Sequence, residues 1–261
     1  MPRVFANNVG LHYVSAGQGD PPLLLLHGLG GSHEIWLPII PELTVFRRVL
    51  AGDHRGHGAS DKPGGPSAVR LLAEDWVAVL DALGIERADL LGLSLGGAVA
   101  MTIAVRHPAR VRTLVLVDTW AYPHPDFVGL MRARLELLQR GDTPGYAEAA
   151  IPQVYSEAYA RENPAAIDAY RARVAATEPG PLAAAVRACI VHDMRGELGR
   201  IAAPTLVIVG AEDRLTPPLH ADYLFRSIRN AKLAVIEGSA HFPHLEAPVH
   251  FLNCLRRFLP G

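Results

Sequence analysis

The sequence predicts an α/β fold in which a largely parallel sheet is covered on both faces and interrupted by a helical insertion. Short runs rich in Val and Leu alternate with longer stretches of helical spacing, the pattern of parallel strands joined by crossover helices. Several of the runs are apolar throughout, as expected of strands buried on both faces. From about Tyr122 to Asp193 the strands stop, and Ala- and Arg-rich helical stretches take over, broken at Pro144, Pro152, Pro164 and Pro179-Gly180-Pro181. Sheet-like runs then resume, so residues 122–193 are expected to be a cap set into one core made of residues 1–121 and 194–261.

In order, Leu11–Ala16 and Leu23–His27 are expected as strands, followed by a helix around Ile35–Leu43 and a strand at Arg48–Ala51. Ala68–Leu83 carries Leu72, Trp76, Val79, Leu80 and Leu83 at helical spacing, with Gly84 as a stop signal. Ala88–Leu93 is a short apolar strand, Leu95–His107 a helix, and Val111–Val117 another strand. Beyond the insertion come strand Thr205–Gly210, a helix from about Pro218 to Ser227, strand Lys232–Ile236 and a closing helix Pro248–Leu259.

Composition narrows the partners. At 261 residues the chain can bury a large core without a metal or disulfide. Lys and Arg total 25 against 26 Asp and Glu, which offers no electrostatic case for nucleic acid or an anionic membrane and leaves a small molecule as the expected partner. Cys189 and Cys254 form no CxxC pair and sit in helix-like sequence, so reduced thiols are expected. The first residues lack a signal-like apolar run, and a cytoplasmic location is the expectation.

The chemistry centres on Gly92-Leu93-Ser94-Leu95-Gly96-Gly97, between an apolar strand and a helix. A sharp strand-to-helix turn brings backbone against backbone, so it needs glycine on either side of the serine and presents the hydroxyl near a helix N-terminus. Ser94 is the candidate nucleophile; the plainer alternative is a helix N-cap. A serine hydroxyl needs a base that titrates near neutrality and a third group to orient it. His241, in Gly238-Ser239-Ala240-His241 after a strand, is the candidate base, with His244 a neighbouring decoy. Asp213, in Gly210-Ala211-Glu212-Asp213 after the preceding strand, is the candidate acid, with Glu212 beside it and Asp118 as a rival at another strand end. The alternatives are a solvated loop histidine and a helix-capping aspartate. Backbone N–H groups of Leu95 and of Leu29, in His27-Gly28-Leu29-Gly30-Gly31-Ser32, are candidate oxyanion donors.

Asp53 with His54 and His57, or His241 with His244 and Glu246, lacks the helical spacing that would face two imidazoles to a metal. Gly28-Leu29-Gly30-Gly31 falls short of a dinucleotide fingerprint. No cofactor is therefore expected.

Taken together, His27-Gly28-Leu29-Gly30, Asp53-His54-Arg55-Gly56-His57-Gly58-Ala59-Ser60, the Ser94 turn, the Gly210 to Asp213 turn and Gly238-Ser239-Ala240-His241 resemble the α/β-hydrolase family over nearly the whole chain. The resemblance implies a mostly parallel eight-stranded sheet, a helical cap after the sixth strand and the triad Ser94, Asp213 and His241. Within the family the chain is similar to small carboxylesterases and 3-oxoadipate enol-lactonases. Dehalogenases and epoxide hydrolases of this fold use an aspartate nucleophile, so Ser94 speaks against both. Cofactor-free haloperoxidase or C–C hydrolase activity, and a ligand-binding protein without turnover, are the remaining alternatives. His54 is an unusual residue before Arg55, expected at the surface or at the edge of the pocket.

The pocket is expected between the sheet edge and the cap, lined by Trp120, Tyr122 and Phe127 unless these are ordinary core residues. The cap holds seven Arg and nine Asp or Glu, so its composition favours a small neutral or weakly polar ester. An enol-lactone would want a positioned arginine, for which Arg132 and Arg134 are both candidates.

Overall fold

A computed structural model describes residues 2–259. Eight strands form one sheet in the order β1, β2, β4, β3, β5, β6, β7, β8: β1 (Arg3–Ala6), β2 (Val9–Ala16), β3 (Leu23–Leu26), β4 (Val49–Gly52), β5 (Ala88–Leu93), β6 (Val111–Val117), β7 (Thr205–Gly210) and β8 (Ala231–Ile236). The β1–β2 and β2–β4 pairings are antiparallel and the others parallel. Strands β3 and β5 are buried at every position, as Leu-rich strands covered on both faces should be, and the one charged residue among them, Asp89 of β5, is paired with Arg112.

Crossover helices supply that cover. After the short helix α1 (Ile40–Thr44), the long helix α2 (Val69–Ala82) packs on α3 (Leu95–Arg106), which lies against β5 and β6. Ala, Gly and Val dominate α3, whose first eleven residues are all buried, so small side chains allow a close approach to the sheet. Between β6 and β7 the chain runs through five helices: α4 (Pro125–Gln139), α5 (Thr143–Val154), α6 (Glu157–Glu162), α7 (Pro164–Ala175) and α8 (Pro179–Val191). Each starts with or next to a proline or after Ser156, where a missing N–H or a capping hydroxyl suits a first turn. Helices α4 and α8 pack together, as do α5 and α7. Then α9 (Pro218–Ser227) packs on β7 and β8, α10 (Pro243–Glu246) makes a single turn, and α11 (Pro248–Phe258) closes the chain beside β8.

Two expectations of sequence are corrected. Strand β1, absent from the sequence reading, is a four-residue antiparallel edge strand that is mostly exposed, so it carries no core-facing apolar run. The segment around Ile35–Leu43 is not one helix; a 3-10 turn at His33–Trp36 precedes α1, with Pro41 near its start. Cys189 and Cys254 are unpaired, in α8 and α11.

Candidate active site

Parallel register makes the strand ends level: Leu26 lies opposite Gly92, Leu93 opposite Val117, and Gly210 opposite Ile236. The loops that follow therefore meet at one edge of the sheet, the usual place for a site in a parallel α/β fold. Ser94 follows β5, Asp118 follows β6, Asp213 lies three residues past β7 and His241 five past β8.

Ser94 has φ 53° and ψ −117°, a conformation that costs a serine about 1–3 kcal/mol and persists only when neighbours dictate it. Its N–H donates to the Val117 carbonyl at 2.9 Å, and its carbonyl accepts the N–H of Gly97 at 2.9 Å and the Thr119 hydroxyl at 2.7 Å. Glycine is obligatory on either side: a Cβ at Gly92 would stand 2.2 Å from the Gly96 carbonyl oxygen, and one at Gly96 would stand 2.0 Å from that of Leu26. The Ser94 side chain makes no capping bond to α3, which sets the N-cap alternative aside.

His241 Nδ1 lies 2.8 Å from Asp213 Oδ2. Both are buried, and the His241 backbone N–H donates to the Val154 carbonyl at 3.1 Å, tying this loop to the end of α5. Asp213 Oδ1 accepts the N–H groups of Leu215 at 2.8 Å and Thr216 at 3.1 Å, while Oδ2 also takes the Thr216 hydroxyl at 2.7 Å. Asp213 thus pins its own loop and reaches His241 as well. Burial opposes its charge, but His241 and the Thr216 bonds outweigh burial and hold the carboxyl below its ordinary range. With Nδ1 committed to Asp213, Nε2 is the His241 nitrogen left for chemistry. The decoy His244 packs at a tilt against Trp36, with ring centres 4.7 Å apart, and burial together with the nearby His241 pulls it down to about 3. Such an imidazole stays neutral at working pH and is no proton acceptor there.

Ser94 and His241 face one cavity, together with Gly28, Leu29, Trp120 and Phe127. Leu95 lies buried behind Ser94 as the first residue of α3, where its N–H has no carbonyl partner within the helix. The cavity is a narrow slot of about 30 Å³.

Tyr122 is not brought to the cavity. It turns away two residues beyond Trp120 and packs on Tyr223 at 4.8 Å and His220 at 5.8 Å, with the Arg195 guanidinium 5.3 Å above its ring. Of the two arginines left open by sequence, Arg132 is exposed and Arg134 is buried in the cavity wall. Helix phase carries that distinction: Phe127, Met131, Arg134 and Leu138 are the buried face of α4. The wall also includes Tyr146, Tyr170 and Cys189, which sequence reasoning missed because α5, α7 and α8 bring them from distant positions. Burial pushes the Cys189 thiol up to about 12, so it lines the cavity as an inert group.

His54 lies neither at the surface nor at the pocket edge. It is buried; its Nδ1 accepts the Trp76 indole N–H at 2.8 Å and its Nε2 lies 3.0 Å from the His27 carbonyl. Its backbone N–H donates to His27 Nε2 at 3.0 Å, and His27 Nδ1 lies 2.7 Å from the Gly28 carbonyl, which braces the Leu29 turn. Asp53 does similar work one layer away. It accepts the His33 N–H at 2.6 Å and the Ala59 N–H at 2.8 Å, with the Nδ1 atoms of His12 and His33 at 3.0 and 2.9 Å. These imidazole nitrogens donate to a carboxylate that already serves as an anchor, an arrangement suited to holding loops rather than a cation.

A family model described as the alpha/beta hydrolase fold matches residues 21–248. The chain belongs to that family, a family of hydrolases. It is 33% identical over 245 residues to a putative carbamate hydrolase RutD of Pseudomonas savastanoi pv. phaseolicola, covering 92% of this chain and 94% of the relative. It is 31% identical to 3-oxoadipate enol-lactonase 2 of Acinetobacter baylyi, covering 94% and 91%. The crystal structure of the enol-lactonase from Burkholderia xenovorans superposes with a TM-score of 0.93 at 28% identity, over 98% of this chain and 99% of that one.

Proposed function

We propose that this hydrolase cleaves small carboxylic esters through an acyl-enzyme on Ser94. The carrying observation is that a serine held in a strained turn shares a narrow cavity with a histidine whose far nitrogen is fixed by a buried carboxylate. His241 Nε2 takes the hydroxyl proton as Ser94 Oγ attacks the ester carbonyl carbon, and the N–H groups of Leu29 and Leu95 receive the developing oxyanion. The tetrahedral adduct collapses, the leaving alkoxide departs with the proton held on His241, and the acyl group stays on Ser94. Water then repeats the sequence, losing its proton to His241, and releases the acid. Asp213 keeps the imidazole in the required tautomer and stabilises its charged form. The relatives' names, carbamate hydrolase and enol-lactonase, both describe attack at an acyl carbon, which supports this class of chemistry.

A fluorophosphonate probe tests the assignment. It should add covalently to Ser94, as located by peptide mass mapping, with ester hydrolysis lost in step. Hydrolysis that persists in fully labelled protein, or a label on another residue, would remove Ser94 from the mechanism. Ligand binding without turnover of any ester or lactone would favour the binding-protein alternative.

A second reading, hydrolysis of lactones or esters whose acyl chain ends in a carboxylate, is favoured by Arg134. Its side chain donates to Gln153 Oε1 at 2.5 Å and lies 5.8 Å from the Tyr146 ring centre, while Nε is buried without a partner. Among the described residues no carboxylate pairs with it. An unpaired cation in an aromatic wall is costly, and an anionic substrate would relieve that cost. This departs from the neutral ester that the cap's composition favoured, because one buried charge outweighs the sum of exposed ones. Mono-p-nitrophenyl glutarate should therefore be preferred over p-nitrophenyl pentanoate, and Arg134→Met should cut that preference by about ten- to a hundredfold. An unchanged ratio of kcat/KM would return the reading to neutral esters.

A further inference from the structure

The mechanism above leaves unused a buried acid that stands beside the triad. Asp118 follows β6, is 1% exposed and has φ 42°, a left-handed conformation uncommon for any residue but glycine and most tolerable for Asn or Asp. Two bonds hold it there: its N–H donates to the Ile208 carbonyl at 3.0 Å, and its Oδ1 accepts the Gly210 N–H at 2.9 Å. Oδ2 is buried and has no donor. One carboxyl oxygen of Asp118, one of Asp213 and a ring nitrogen of His241 all lie within 4.8 Å of one another.

The groups facing this carboxyl are mostly acidic. Asp213 stands against it from the loop after β7 and Glu246 approaches from α10, while the nearby His241 is bonded to Asp213 rather than to Asp118. His220, near Asp213 on α9, is drawn down to about 4, first by burial and then by His124, and supplies no positive charge at neutral pH. Among the described residues no Lys or Arg compensates Asp118. Two ionised carboxylates side by side in so dry a place would repel strongly, and one of them should keep a proton. Burial first, and then the Asp213 charge, push Asp118 well above the ordinary carboxylate range, whereas Asp213 is held below it.

We propose that Asp118 is carried as a neutral carboxylic acid whose Oδ2–H donates to the Asp213 carboxylate, so that it is a positioning residue for the acid of the triad. The inference rests on the Ser94, His241 and Asp213 reading given above. The proton accounts for the donorless Oδ2: with it, Oδ1 accepts from Gly210 and Oδ2 donates to Asp213. Asp213 is then gripped from its own loop by Leu215 and Thr216 and from the next strand by Asp118. Its carboxylate plane stays aimed at His241 Nδ1 when the imidazole becomes charged. A neutral neighbour also leaves the Asp213 charge as the single one acting closely on His241.

Asparagine reproduces this pattern, with an amide oxygen for Gly210 and an amide N–H for Asp213, and both Asn and Gly accept the positive φ. Asp118→Gly should therefore fold, as followed by thermal unfolding, yet lose about ten- to a hundredfold in kcat with KM little altered. Asp118→Asn should recover most of that loss, with the acidic limb of its kcat/KM profile where the wild type has it. The infrared difference spectrum of wild type minus Asp118→Asn at neutral pH should show the carbonyl band of a protonated carboxylic acid. Absence of that band, or an acidic limb displaced downward by about one pH unit in Asp118→Asn, would mean that Asp118 is ionised and would overturn the proposal. Wild-type kcat in Asp118→Gly would overturn it equally. Failure of the serine reading looks different: turnover would survive Ser94→Ala, whatever the infrared spectrum shows of Asp118.

Discussion

Ser94→Ala lowers kcat/KM for p-nitrophenyl esters by about four to six orders of magnitude, the loss found when a nucleophile is removed from a triad that works as a unit. The substitution should be nearly silent in stability. The Ser94 hydroxyl makes no cap to α3, and the bonds that hold the turn come from its backbone N–H and carbonyl. Removing Oγ from the edge of a cavity also creates little new void. Rate and thermal midpoint measured together therefore separate chemistry from folding. A large rate loss with an unchanged midpoint supports Ser94 as the attacking group. A loss of only a fewfold would mean that another group attacks and that Ser94 merely shapes the turn. The residual rate is informative too: oxyanion donors and substrate binding can retain about 10³- to 10⁴-fold acceleration over water without a nucleophile. That residue should fall further when the Leu29 turn is disturbed, because His27 braces it through the Gly28 carbonyl.

The sheet and its crossover helices were legible because their burial is continuous in sequence. A run such as Leu23–Leu26 reads as a strand covered on both faces, and its place in order fixes which loops reach the carboxyl edge. The turn at Ser94 was legible for a related reason, since Gly92 and Gly96 are positions where any Cβ would collide with backbone. What sequence could not supply was the environment of polar groups. His54 became a buried, fully bonded histidine only because Trp76, 22 residues on, and His27, 27 residues back, meet it in space. Arg134 was separable from Arg132 by helix phase alone, since it falls on the stripe of Phe127, Met131 and Leu138. Its lack of a counter-charge is a fact about five packed helices, and net charge over the insertion concealed it. Tyr122 was misplaced for the opposite reason. Proximity to Trp120 in sequence says nothing about where the chain turns, and the ring fills a gap against α9 instead.

The polar burial that escaped sequence reading should also make the protein acid-sensitive well above the range where carboxylates titrate. Six histidines, His27, His54, His57, His192, His220 and His244, have their pKa lowered, in each case by burial first. His192 and His220 are brought to about 4 and His244 to about 3. In the unfolded chain each would return to about 6.5. Below that pH the unfolded state binds protons that the folded state refuses, so stability is complete above about pH 6.5 and falls as pH drops through it. Each such histidine contributes up to about 1.4 kcal/mol per pH unit. Asp118, Asp75 and Glu246 act in the opposite sense, because their raised pKa values let the folded state hold protons that the unfolded state has released. The histidines titrate inside this window in the unfolded chain, so six of them against three carboxyls leaves stability falling between pH 7.5 and 5.5. Urea titrations across that range should show the midpoint falling steeply with an unchanged m-value. His244→Leu isolates one contributor, since both its ring nitrogens are buried without partners and its ring packs against Trp36. Whatever the substitution does to stability at pH 7.5, it should reduce the slope below pH 6.5 by the share of one proton. A slope identical to wild type would show that His244 is protonated in the fold as readily as in the unfolded chain, and a flat wild-type profile would show that the buried histidines do not outweigh the three carboxyls.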